Sequence, residues 1–322
     1  MEYDETRMKL STALLRVVAL AAIPAFAQVD IKHGGDHISV AIDGKPFTTF
    51  FMGADVPKPY LHPLRSASGK IVTRGFPMEK IAGEPTDHQH QRGVFFGHMI
   101  VNGTNFWANE FDYKDKNLGK VVLKEVSEAK SGRKSGTIVA SFNWLNETGK
   151  LILTEKRTMK FYSDPKLRVI DFDFVLIPNG KVIFGDEKDG FFAIRVHPGI
   201  QEEKSGGKMT NADGKEGEKD VWGQPSNWVD YAGAVDGEAL GIAIFDHPDN
   251  LRHPERWHSR GYGLFAVNPF MLSQVVNDKT QKADYVLEPD KTVRFEYRVV
   301  IHPGDTKSAG IESLYQKYLK RQ

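Results

Sequence analysis

The chain has no cysteine. That absence removes disulfides, thiolate metal sites and a cysteine nucleophile together. Surplus charge is almost absent too: 43 Lys and Arg stand against 42 Asp and Glu, a formal +1 at pH 7. Nucleic-acid binding needs a basic footprint, so no nucleic-acid partner is expected. Beyond residue 27 no apolar run approaches the roughly 20 residues of a spanning helix, so no membrane span is expected in the mature chain. Recurring amphipathic spacers of helical length are missing, which argues against alternating β–α units. What remains for chemistry is eleven histidines, carboxylates, Lys and Arg, and hydroxyls.

The N-terminus reads as an address. Arg7 and Lys9 precede a short apolar run, Ala13 to Ile23, broken only by Arg16, and Ala25-Phe26-Ala27 follows. That is the pattern of a secretory signal cleaved after Ala27. We therefore expect an exported protein, periplasmic in a Gram-negative cell, with residues 1–27 as signal and 28–322 as one domain. Its 40% hydrophobic and 26% charged residues suit a packed globule.

The body reads as strands. Ile38, Val40 and Ile42 alternate with polar positions, meet Asp43-Gly44, and resume as Phe47, Thr49 and Phe51. Asp-Gly accepts the positive φ that a tight hairpin demands. Strands are also expected at 121–126, 137–144, 151–161, 167–177, 181–184, 191–196, 240–245, 263–267, 284–287 and 293–301, with turn residues between them. Ile311, Leu314, Tyr315, Tyr318 and Leu319 follow helical spacing, with Asp305 or Thr306 able to cap, so the chain ends in a helix packed on the sandwich edge. The expected class is all-β, a large antiparallel β-sandwich with a C-terminal helix. Glu202–Asp220, rich in Gly, Lys and Glu, reads as a long exposed loop, either a lid or a surface insertion.

Chemistry concentrates in two segments. The first carries His62, Arg65, Asp87, His88, His90, Arg92, His98 and Asn102. If 87–92 is extended, His88, His90 and Arg92 share one face. That face suits a divalent metal, with His98 or His62 as third ligand, or proton transfer beside an anion-holding arginine. The second carries His247, Asn250, His253, Trp257, His258, Arg260 and Tyr262 in an irregular stretch broken by Pro248 and Pro254. Aromatics beside planar donors are what a sugar ring needs: apolar faces for its C–H groups and donors for its hydroxyls. Trp222, Trp228 and Tyr231 are candidates to extend that wall, and Lys188 and Arg195, between the clusters, to hold a carboxylate. Glu155 continues an apolar strand face, so it is either an inward general base or the point where the strand leaves the core.

These same segments carry a resemblance. Pro59-Tyr60-x-His62-Pro63-Leu64-Arg65, Asp87-His88-x-His90-x-Arg92-Gly93, Asn102-Gly103-x-x-Phe106-Trp107, Trp222-Gly223 and the run from Asp246-His247-Pro248 to Arg260-x-Tyr262-Gly263 resemble an exported bacterial family often labelled "methane oxygenase PmoA". The resemblance covers about residues 50–303. It implies a shared fold and site, and a sugar-related setting, since the family accompanies carbohydrate-degradation genes. A membrane methane oxygenase subunit would need several spanning helices, which this chain does not offer. The sandwich itself is similar to that of galactose mutarotase, an analogy of fold that licenses no activity.

The reading is a periplasmic carbohydrate-active enzyme: a hydrolase, lyase or epimerase on a sugar or sugar acid. His88, His90, Arg92, His62 and His258 are its candidate catalytic residues. Arg65, His98, Asn102, Lys188, Arg195, His247, Asn250, Trp257, Arg260 and Tyr262 are candidates to hold the substrate. His88, His90 and His98 form the candidate metal set. The alternative is a non-catalytic carbohydrate-binding or envelope protein. A third reading, a mononuclear metal oxygenase, would use His88 and His90 with Glu155 or Asp87.

Overall fold

Asp43 and Gly44 turn the hairpin between residues 37–42 and 45–51 with φ of 53° and 74°, the left-handed pair that Asp-Gly supplies. The computed structural model describes Met1 and residues 28–320; the expected signal, apart from Met1, and its expected cleavage point lie outside the described residues. In chain order the first strands are β1 (Val29–His33), β2 (His37–Ile42), β3 (Lys45–Phe51), β4 (Tyr60–His62) and β5 (Val94–His98). A four-strand meander follows: β6 (Lys120–Lys130), β7 (Ser135–Leu145), β8 (Leu151–Tyr162) and β9 (Arg168–Pro178). Then come β10 (Val182–Phe184), β11 (Gly190–Arg195), β12 (Lys208–Asn211), β13 (Trp228–Val235) and β14 (Glu238–Asp246). The last are β15 (Arg256–Trp257), β16 (Leu264–Asn268), β17 (Tyr285–Leu287) and β18 (Val293–Pro303).

Two eight-stranded sheets result. The first runs β1-β2-β3-β4-β5-β11-β16-β15 and the second β12-β13-β14-β18-β9-β8-β7-β6, with β10 and β17 as a separate pair. Neighbouring strands run antiparallel throughout both sheets. This is the antiparallel sandwich expected from the strand pattern. Aromatic side chains from the facing sheets meet between them. Phe96 stacks on Phe174 at 4.1 Å, Phe192 on Tyr297 at 5.0 Å, and Phe50 meets Phe142 edge-on at 6.0 Å.

Glu155 is inside this layer. It is fully buried, accepts from Trp144 Nε1 at 2.9 Å and from Arg157 Nε at 2.6 Å, and Arg157 in turn lies over Phe50, Phe96, Phe142 and Phe174. A carboxylate sealed in the core with a guanidinium cannot reach a ligand. The inward reading of Glu155 holds, but its general-base and metal-ligand roles do not.

The C-terminal pattern breaks into two helices. Asp305 caps α1 (Thr306–Ala309) through a reciprocal box with Ser308; Gly310, at φ 65°, ends it, and α2 (Ile311–Leu319) follows. Ile311, Tyr315 and Tyr318 pack on Val169, Phe245 and Val300, so the helix covers the outer face of the second sheet rather than an edge. The stretch 202–220 is also not one loop. Glu202–Ser205 and Glu218–Val221 are single helical turns flanking β12. Glu218 ties the stretch down, accepting the Gly261 N–H at 2.6 Å and pairing with Arg260 at 2.7 Å. Among the described residues no helix is long and apolar enough to cross a membrane.

Candidate functional site

Alternation along the first sheet sends Phe96, Phe192 and Ile194 into the core and Phe95, Ala193, Leu264 and Ala266 to the outer face, where Tyr60, Trp107 and Tyr262 join them. Three connections fold over that face: 63–93 between β4 and β5, 99–119 between β5 and β6, and 258–263 between β15 and β16. The polar residues of the site come from these connections, from Arg195 at the end of β11, from Lys188 in the connection leading into β11, and from Lys58.

Asp87 is the hub. Arg74 Nη1 donates to its Oδ1 at 2.9 Å, Arg195 Nη2 to both oxygens at 3.2 Å, and His88 Nδ1 to its Oδ2. Burial alone would raise this carboxyl; the bond from His88 and the charges of Arg195 and Arg74 outweigh that and hold it at about 2. The segment is not extended, as the sequence pattern would have it. Gln91 N–H bonds the His88 carbonyl at 2.9 Å, closing a turn, and His88 sits at φ 46°. The turn then returns to β5 through Gly93, at φ 50°, where a Cβ would lie 2.1 Å from the Leu61 carbonyl oxygen.

Because the segment turns, His88, His90 and Arg92 separate in role. His88 is 43% exposed at its side chain and stacks on Tyr262, centroids 5.2 Å apart and planes at 6°. His90 is 8% exposed, 5.8 Å from the His88 ring and tilted against Trp107, and its Nδ1 shares a hydrogen bond with Tyr113 Oη at 3.0 Å. Burial, reinforced by the positive charges of Lys58, His88, Arg74 and Arg195, pushes its pKa down to about 2, so this ring is neutral at any working pH. Arg92 turns away: Glu110 takes it bidentately at 2.8 and 2.6 Å, over the Tyr60 ring. It is already occupied and offers no fork to a ligand.

The two sequence clusters meet, but only in part. Tyr262 brings the second cluster onto His88 and also lies under Arg195, whose guanidinium carbon is 4.6 Å from the ring centre. His258 donates to the Lys188 carbonyl at 2.8 Å and lies 3.7 Å from Asp189, which pairs with Lys188 Nζ at 2.8 Å. Burial lowers His258 to about 4, with Asp189 opposing. Arg260 closes the rim, paired with Glu218. Arg195, Tyr262, His88, His90, Arg260, His258 and Lys188 are thus distributed over one face.

Other candidates stand elsewhere. Trp257 is fully buried, bonds the Ser226 carbonyl at 2.9 Å and packs on Phe265, so it is core and cannot stack a ligand. His247 and Asn250 belong to the end of β14 in the second sheet. Asn250 joins Asp246 to the Glu296 backbone, and His247 packs against Tyr318. Trp228 bonds Glu312 of α2, and Tyr231 accepts the Glu202 N–H from inside the core. Asn102 is a turn residue at φ 50°, bonded to Lys181 and Ile183. Arg65 bonds the Gly69 carbonyl and lines a separate cavity of about 460 Å³. His62 is buried with neither ring nitrogen hydrogen-bonded, its pKa lowered to about 4 by burial and then by Arg65.

His98 fails the metal set. Its Nε2 donates to the Gly185 carbonyl at 2.7 Å, and its ring packs among Phe184, Phe191 and Phe270. Among the described residues one group, His247 with Asp249 and Glu296, brings three ligand atoms within 4.8 Å of one another. Arg294 already takes Glu296 at 3.0 Å, and the Asp249 N–H takes His247 Nδ1 at 3.2 Å. These donors are satisfied without an ion.

Sequence reasoning missed Lys58 and Arg74 and undervalued Asp87. Lys58 is fully buried and donates to the Trp107 carbonyl at 2.7 Å and Asn109 Oδ1 at 2.6 Å. Burial, partly offset by Glu110 and reinforced by Arg92, lowers it to about 7. Its placement between Pro57 and Pro59 was the available signal, and that signal is weak.

Fold and site together define a two-sheet antiparallel β-sandwich protein with a histidine–arginine–tyrosine cluster on the outer face of one sheet. The chain belongs to the family of unknown function DUF6807, whose model matches residues 37–316. The resemblance drawn from the motifs narrows to that family, and the methane-oxygenase label gains no support. No curated protein matches the chain. Among solved structures it is similar to the GH36 α-galactosidase AgaA of Geobacillus stearothermophilus, at 10% identity and TM-score 0.40, over 86% of this chain but 40% of that one. It is also similar to a galactose mutarotase-like protein of Clostridium acetobutylicum, at 10% identity and TM-score 0.40, over 85% and 98% of the two chains. A galactose mutarotase related enzyme of Lactobacillus acidophilus aligns at 11% identity and TM-score 0.32, over 86% and 98%. This chain therefore spans less than half the length of the α-galactosidase, and none of these likenesses carries an activity to it.

Proposed function

We propose that this chain is an exported carbohydrate-active enzyme that moves protons on a bound sugar or sugar acid through His88 and His90. The observation that carries the reading is the contrast between these two neighbouring rings. His88 is exposed, and the carboxylate on its Nδ1 orients it and stabilises its imidazolium as one forms. His90 is held neutral and keeps its Nε2 without a protein partner, so that nitrogen is open to a hydrogen bond from the ligand and becomes a proton acceptor only when an anion on the ligand offsets the cations around it. Tyr262 supplies an aromatic surface beside them and Arg260 a donor at the rim, which is the equipment a polar ring needs. Hydrolysis, elimination and epimerisation all require such a pair, and the geometry favours none of them over the others.

The test is proton NMR in heavy water across a panel of sugars, sugar acids and their glycosides. New anomeric signals, a new double bond or deuterium entry at a ring carbon would each mark turnover and name the reaction class. His88→Gln and His90→Gln should bind and not turn over. Binding without any turnover by the unmodified protein would make this a carbohydrate-binding protein. Unchanged affinity and turnover in a double-alanine variant would remove these residues from the site.

A further inference from the structure

The cations around His90 outnumber the carboxylates that face them. Arg74 and Arg195 are both fully buried, and they share the single carboxylate of Asp87. The Nε of each guanidinium has no acceptor. Lys58, fully buried as well, has no carboxylate in salt-bridge reach; its partners are a carbonyl and an amide oxygen. The rim is different. Arg92, Arg260 and Lys188 are each matched by a carboxylate of their own. Two fully buried guanidiniums thus share one carboxylate. Lys58 adds a third buried charge when it is protonated, with Glu110 acting on it from beyond bonding reach and already paired with Arg92. The largest charges acting on His90 are all positive. Burying cations in excess is costly unless an anion completes the set. Asp87 cannot supply more, because its oxygens are taken by Arg74, Arg195 and His88.

We infer that the ligand of this site carries a carboxylate, so that its substrate class is sugar acids rather than neutral sugars, with the anionic group held at His88 and His90 in the field of Lys58, Arg74 and Arg195. This deepens the acid/base reading of the same site and rests on it. The buried cations do not touch the ligand. They act through space, and the groups that would touch it are the exposed edge of His88, the Nε2 of His90 and the Tyr262 ring. Salt weakens the approach of a charged ligand to such a site, less steeply than for exposed charges because these cations are buried, and leaves hydroxyl recognition unchanged.

Matched pairs test it: D-glucuronate against D-glucose and D-galacturonate against D-galactose, with acetate as the carboxylate alone, titrated by calorimetry or ligand-observed NMR. The acid of at least one pair should bind about tenfold or more tighter than its neutral partner and than acetate. That advantage should shrink as salt rises from about 10 mM to about 0.5 M. Lys58→Met should reduce the ratio of acid to neutral-sugar affinity; should that variant not fold, the matched pairs on the unmodified protein decide. Acid and neutral sugar binding equally, or acid no tighter than acetate, would overturn the inference and leave the acid/base reading to its own turnover test. Failure of every sugar and sugar acid to bind would bring down both.

Discussion

Replacing Asp87 by Asn removes one charge from beneath two buried guanidiniums and one histidine. The Asp87 carboxyl falls from 3.8 to about 2 in the fold, a change worth about 2 kcal/mol. Its side chain is 38% exposed, so water screens part of that, and about 1–2 kcal/mol is the amount expected to count. A carboxyl whose folded pKa is depressed stabilises fully above its unfolded value and loses the contribution as pH falls through the folded value. Asp87→Asn should therefore be about 1–2 kcal/mol less stable than the natural protein at pH 7. The gap should close between about pH 4 and pH 2, where the natural carboxyl takes up its proton. Urea unfolding followed by the fluorescence of the five tryptophans reads this directly. A variant as stable as the parent at pH 7, or a gap that persists at pH 2, would refute the view of Asp87 as the charge that holds Arg74, Arg195 and His88.

Glu155→Ala leaves Arg157 uncompensated in the aromatic core and should cost about 3–5 kcal/mol by denaturant melt; replacing both residues with apolar ones should restore much of that. Lys58→Met should gain stability relative to the parent as pH is lowered from about 9 to about 6, because the parent lysine must then carry its charge while buried, against a folded pKa of about 7. A pH-independent difference would contradict that. Trp257→Ala should cost about 3–5 kcal/mol of stability, and a folded Trp257→Phe should keep ligand affinity. Tyr262→Ala should do the reverse, sparing most of the stability and losing affinity, as read by thermal melts beside ligand titration.

Much of the fold was legible because sheets write themselves into sequence at short range. The alternation along β7 and β8 and the Asp43-Gly44 turn need nothing from the rest of the chain. The C-terminal stripe was equally clear, but the break at Gly310 was not, since a lone glycine in helical spacing also occurs within one helix. The site was harder. Tyr262 meets His88 because β16 lies beside β11 and β11 beside β5, a pairing between segments some 170 residues apart that no local pattern announces. Trp257 and Tyr262 look alike in sequence; only the register of β15 on β16 sends the first into the core. Extended geometry over 87–92 was assumed from spacing, and a left-handed His88 undid it. Buried cations such as Lys58 and Arg74 leave no sequence mark, because burial of a charge depends on what is folded over it.

The Glu155–Arg157 pair has a consequence for how the long meander finds its partners. Sliding β8 by one residue against β7 or β9 would turn both charges to the outer face and drive Lys156, Thr158 and Lys160 among the phenylalanines. An all-apolar strand would tolerate that mistake better, since most slipped pairings still bury some hydrocarbon. The pair thus acts as a proofreading mark: a strand pairing that misaligns β8 strands lysines in oil and loses the free energy that would hold it.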